Sequence, residues 1–131
     1  MSLELLGFDH VLLPVGDLGA AVEFYQQAGF PLSFRLDEAG IALFKVGAET
    51  PGVLLRFEEG MLPGPPRDTA PRAWFEVPDA KAAAAALETA GVAVLGRPMS
   101  GSTGWTVEIA DPWGNVTGFT DYLKRPELAR G

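Results

Sequence analysis

The chain has 131 residues, 47% of them apolar and 21% charged, which suits one folded domain and excludes a disordered segment. A net charge of −7 at pH 7 argues against nucleic acid or an anionic membrane surface as partner, because both attract basic faces. Cysteine is absent and His10 is the sole histidine, so disulfides, thiolate chemistry and any metal set needing two histidines from one chain are excluded.

The acidity is uneven. Residues 1–62 carry nine acids against three bases, whereas residues 63–131 carry eight against seven. No apolar run approaches the ~20 residues needed to span a bilayer. The segment Met1–His10 lacks the basic start and apolar centre of a signal peptide, which predicts a cytoplasmic location.

In chain order, Phe8–Val15 reads as a strand ending at the turn Gly16-Asp17. Asp17 is a suitable N-cap, and Leu18, Ala21, Val22, Tyr25 and Ala28 form the apolar stripe of a helix that Gly29 ends. Strands are predicted near 31–37, 41–46 and 53–58, separated by Glu38-Ala39-Gly40 and by Gly47–Gly52. Gly60–Pro71 holds four prolines and reads as an extended linker. Arg72–Val77 is the next strand. Asp79 then caps a helix carrying Ala80, Ala83, Ala84 and Leu87 on one side, with Gly91 at its end. Strands near 92–98, 104–110 and 115–121 follow, and the polar tail from Lys124 is expected to fray.

The two halves repeat. Val15-Gly16-Asp17 matches Val77-Pro78-Asp79, Ala28-Gly29-Phe30 matches Ala90-Gly91-Val92, Gly52 matches Gly114, and Phe57 matches Phe119, every pair 62 residues apart. The predicted fold class is α+β, with two tandem βαβββ modules whose curved mixed sheets form a cleft. Module one covers 5–60, the linker 60–71 and module two 71–122, within a single domain 1–131.

The turn Asp111-Pro112-Trp113-Gly114-Asn115 precedes the last strand. Asp9-His10-Val11, Val15-Gly16-Asp17-Leu18, Phe24-Tyr25 and Ala28-Gly29-Phe30 stand in order near the start. With the repeat, these motifs resemble the glyoxalase/bleomycin-resistance/extradiol-dioxygenase group, the vicinal oxygen chelate superfamily, over residues 8–121. The resemblance implies four cleft positions that hold a metal in metal-using members. Here they fall on His10, Arg56 (or Leu54 by an alternative count), Arg72 and Gly118, where those enzymes carry glutamate. Only His10 offers a lone pair to a divalent cation, so no metal or other cofactor is expected. A shifted register would bring His10, Glu58 and Glu76 together instead.

Strand alternation assigns the remaining faces. Val11, Leu13 and Val15, Val53, Leu55 and Phe57, Ala73, Phe75 and Val77, and Trp105, Val107 and Ile109 should pack under the helices. The opposite faces supply the candidate ligand site, His10, Arg56, Arg72, Trp74, Glu76 and Glu108. There the arginines suit an anionic or strongly polar oxygen group and Trp74 a planar remainder. The same residues have plainer readings. Arg56 and Arg72 can pair with Glu58, Glu76 or Glu108; His10 can bond a neighbour; Trp74 can belong to a dimer interface and Trp113 to packing. The functional expectation is a metal-independent homodimer that binds a small organic molecule in the cleft, with resistance by sequestration as the analogy. It includes no nucleic acid and no membrane partner. The alternatives are a divalent-metal lyase, isomerase or dioxygenase, and a proton-transfer enzyme with Glu76 or Glu108 as base.

Overall fold

The computed structural model describes residues 3–48 and 52–130, so residues 49–51 of the predicted Gly47–Gly52 connection lie outside the described residues. The first half of the chain gives β1 (Val11–Val15), α1 (Leu18–Gln27), β2 (Leu32–Leu36), β3 (Ile41–Phe44) and β4 (Val53–Phe57). The second gives β5 (Ala73–Glu76), α2 (Ala80–Thr89), β6 (Leu95–Ser100), β7 (Trp105–Ala110) and β8 (Val116–Thr120). Each half forms a four-stranded mixed sheet, in the orders β1-β4-β3-β2 and β5-β8-β7-β6. The first strand of each pairs in parallel with the last, β1 on β4 and β5 on β8, which is the tandem βαβββ arrangement. Neither sheet is closed, and β1, β2, β5 and β6 are its edges.

The helices begin and end where local chemistry dictates. Asp17 Oδ1 accepts the N–H of Ala20 at 3.0 Å, and Asp79 Oδ1 accepts that of Ala82 at 3.1 Å. Gly29 and Gly91, at φ of 93° and 85°, close them in the left-handed region. Leu18, Ala21, Val22 and Tyr25 of α1 are buried, as the apolar stripe requires.

One core serves both halves. Leu13, Val15 and Leu55 of the first sheet and Val107, Ile109 and Phe119 of the second belong to the same buried cluster. Phe30, just past α1, joins them edge-on, with ring centroids 5.5 Å from Tyr25 and 5.4 Å from Phe75 of β5. Beside it, the Tyr25 hydroxyl donates to Asp111 Oδ2 at 2.8 Å, and Asn115 Nδ2 donates to the Pro14 carbonyl at 2.8 Å. Burial, and then the Asp111 carboxylate, raise the Tyr25 pKa well above its ordinary value. The Asp111–Asn115 turn is therefore more than a turn; it clasps the second half to α1 and β1. The linker follows the same turn, with Gly64 N–H on the Pro112 carbonyl at 2.9 Å and Arg67 N–H on that of Gly114 at 3.0 Å.

Several expectations are corrected. Strand β1 starts at Val11, so His10 precedes it and Phe8 is exposed. Strand β6 begins at Leu95, three residues later than predicted. Phe57, paired with the buried Val15, stands at the end of β4 and is 44% exposed rather than packed under the helix. The tail is not frayed: Pro126–Leu128 forms a turn of 3-10 helix, and Arg130 returns to β5. Trp113, by contrast, is buried as its packing reading expects, with its indole against Gly16, where a Cβ would stand 2.6 Å from Nε1. Among the described residues no helix is long and apolar enough to cross a membrane.

Candidate functional site

Register fixes which side chains share the faces turned away from the helices. Across the first sheet, Leu12, Leu54, Leu43 and Phe34 stand in one row, followed by Pro14, Arg56, Ile41 and Leu36. This face is almost wholly apolar. Across the second sheet the rows are Trp74, Gly118, Glu108 and Leu95, then Glu76, Thr120, Thr106 and Met99. This face is polar, and the Thr106 and Thr120 hydroxyls bond each other at 2.8 Å.

Gly118 shapes the polar face. It has no side chain, so the Trp74 ring of edge strand β5 lies across it; a Cβ there would stand 2.4 Å from Trp74 Cδ1. Trp74 thereby reaches β7, where Nε1 donates to Glu108 Oε2 at 2.9 Å. Arg72 Nη1 donates to the other oxygen, Oε1, at 2.7 Å. Glu108 is only 6% exposed, and each of its oxygens holds one donor. A buried carboxylate without a partner would be costly, so Arg72 and Trp74 are what make Glu108 tolerable there.

The other predicted site residues have separate partners. Arg56 pairs with Glu58 just past the end of its strand, and His10 Nδ1 lies 2.9 Å from Asp9 Oδ2. Glu76 accepts the Arg130 backbone N–H at 2.9 Å and its guanidinium at 2.6 Å. Those two hydrogen bonds, backbone first, hold the Glu76 carboxyl below its ordinary range against a smaller effect of burial. Arg72, Trp74 and Glu108 are thus bonded to one another, whereas His10, Arg56 and Glu76 bond Asp9, Glu58 and Arg130.

The four positions that the resemblance implies for a metal carry His10, Arg56 or Leu54, Arg72, and Gly118 under an indole, a set whose chemistry does not fit a divalent cation. Among the described residues no group of three His, Asp or Glu side chains is placed to hold a cation. The shifted set fails as well, since His10, Glu58 and Glu76 are bonded to Asp9, Arg56 and Arg130.

A crevice of about 380 Å³ opens at the seam where the β5 edge meets the end of the first sheet. Phe8, Val11 and Val46 form one wall, and Ala73, Trp74 and Phe75 the other, with the Glu76–Arg130 pair at one end. Its size and mostly apolar lining are those of a small-molecule site. A second cavity of about 310 Å³, beside Pro78, Tyr122 and Leu123, also touches Glu76 and Arg130, so this ion pair stands between the two. Sequence reasoning missed Phe8, Val46, Phe75 and Arg130 as lining residues. Because β5 is an edge strand, residues of both its faces reach the crevice, which the parallel β5–β8 pairing of the repeat could have indicated. Nothing in the sequence pointed to Arg130.

The sequence model of the Glyoxalase/Bleomycin resistance protein/Dioxygenase superfamily matches residues 7–119. No curated protein matches the chain. Among solved structures, a glyoxalase/bleomycin resistance protein/dioxygenase from Nocardioides is similar at TM-score 0.71 and 18% identity, over 99% of this chain and 92% of that one. A lactoylglutathione lyase from Agrobacterium tumefaciens aligns at TM-score 0.67 and 19% identity, over 89% and 94% of the two chains. A fosfomycin resistance protein from Listeria monocytogenes aligns at TM-score 0.68 and 16% identity, over 90% and 94%. At these identities the likeness is one of fold.

Proposed function

The chain belongs to the glyoxalase/bleomycin resistance/dioxygenase superfamily, and from that premise we propose that it binds a small organic molecule at Trp74, without a metal, as a cytoplasmic homodimer. The observation that carries this reading is the indole over Gly118. The resemblance puts a metal-binding carboxylate at that position, and here a ring fills the space and is tied down through Glu108. One ring face rests on Gly118, and Trp74 remains 52% exposed, so the other face is open as a stacking platform beside the seam crevice. Both Glu108 oxygens already accept donors, which supports binding over proton abstraction. Sequestration of an unwanted compound fits such a site, because it needs affinity and no chemistry.

Two measurements test the proposal. The purified protein should carry no stoichiometric Zn, Mn, Fe or Ni, and a chelator should leave its melting temperature unchanged. In a thermal-shift screen of small aromatic compounds, a binder present at 100 times its Kd should add about 2.7 kcal/mol of stability. Trp74→Ala should abolish that gain while the variant still folds, since the ring is half exposed. Stoichiometric metal lost together with stability on chelation would overturn the metal-independent reading.

A further inference from the structure

We propose that the seam crevice selects an uncharged, planar aromatic ligand and discriminates against both its anionic and its cationic analogues. This rests on the small-molecule reading above and adds the ligand's charge. The arginines alone suggest an anion, but two of the charges described around the crevice are arginines already paired with carboxylates. Arg72 lies 2.7 Å from Glu108, and Arg130 lies 2.6 Å from Glu76. Among the described lining residues, Glu76 and Arg130 are the charged ones, and they offset each other.

An anion arriving at Arg72 would share the guanidinium with Glu108, whose side chain is 8% exposed and whose opposing charge already lies 2.7 Å from Arg72. An anion at the far end would meet Glu76, whose side chain is 14% exposed and already holds the Arg130 guanidinium. A cation on the open face of Trp74 would gain from the ring, but the Arg72 guanidinium shares the carboxylate that anchors the indole. A neutral aromatic ring meets neither objection. It lies on Trp74 between Phe8 and Phe75 and disturbs no ion pair.

The test uses three probes with one ring system: 2-naphthol, 2-naphthoate and 2-naphthylmethylammonium at neutral pH. Each is titrated into the full chain labelled with nitrogen-15, reading the Trp74 indole N–H resonance, assigned by its disappearance in Trp74→Phe. The expected result is that 2-naphthol binds at least about tenfold more tightly than either ion, with an affinity that salt does not change. Glu108→Gln, which keeps an acceptor oxygen but removes the charge opposing Arg72, should shift the preference toward 2-naphthoate. A purely structural role for Glu108 would leave the order of the three probes unchanged and would count against the charge argument. Tightest binding of 2-naphthoate or of the ammonium compound by the wild-type chain would overturn the proposal and leave the binding reading standing. If none of the three moves the Trp74 resonance, both fall.

Discussion

Asp121 shows how a single residue sets the stability of this fold. It has no exposed surface, and its carboxylate accepts the backbone N–H groups of Ala80, Trp105 and Leu123 at 2.7, 2.9 and 3.2 Å. Burial pushes its pKa up, but those donors and the Lys124 charge outweigh it, so the carboxyl sits below the ordinary aspartate value. With the folded pKa depressed, its stabilisation is complete above the unfolded aspartate pKa and is lost as pH falls through the folded value. Asp121→Ala should therefore lower urea stability by about 1–3 kcal/mol at neutral pH, with the gap to wild type narrowing in acid. A gap that stays constant down to the acid transition would contradict this. Residues of the site were legible to different degrees for the same kind of reason. That Arg72, Trp74 and Glu76 share a face follows from alternation alone. That Trp74 and Arg72 converge on Glu108 depends on a glycine in the strand between them, and that Glu76 faces Arg130 depends on the path of the tail. Neither carries a periodic signal.

At the scale of elements, the caps at Asp17 and Asp79, the glycines at the helix ends and the repeat placed both helices and eight strands to within a few residues. Local chemistry governs those features. Strand ends were less legible, as at His10 and Leu95, because pairing partners decide them. The element whose role was underread is the Asp111–Asn115 turn. Its carboxylate accepts four donors: the Tyr25 hydroxyl, the Trp113 and Asn115 N–H groups and Asn115 Nδ2. The last three are local turn bonds, and the first crosses to α1. Tyr25→Phe should cost about 1 kcal/mol, the usual net worth of one buried hydrogen bond. Asp111→Ala should cost more, because three further donors lose their acceptor. Urea unfolding of both single variants and the double variant checks this, and the cycle should return a coupling between Tyr25 and Asp111. Strictly additive effects would mean that the turn does not clasp the two halves through this bond.

At the scale of the whole molecule, the two outer sheet faces are left uncovered, and they differ in kind. The first presents Leu12, Phe34 and Leu36, each 40–45% exposed. Ahead of it runs an extended segment with Leu3, Leu5, Leu6 and Phe8 exposed by 75–92%. Strand β2, which carries Phe34 and Leu36, is also a sheet edge with unpaired backbone groups. Monomeric proteins rarely leave so much contiguous apolar surface in water, whereas a twofold dimer would cover it on both copies at once. The polar face of the second sheet, with Trp74 and the threonine pair, needs no such cover to be stable. In a dimer that set it opposite an apolar face, it would gain the second wall of a cup. Sedimentation equilibrium at micromolar concentration should therefore give about twice the 13.9 kDa chain mass. Phe34→Glu, a charge placed in the apolar row, should shift the protein to monomer without unfolding it, because Phe34 is already 41% exposed within the chain. Wild-type chain that sediments as a monomer would remove the homodimer from the proposed function, and Trp74 would then have to bind its ligand from one chain alone.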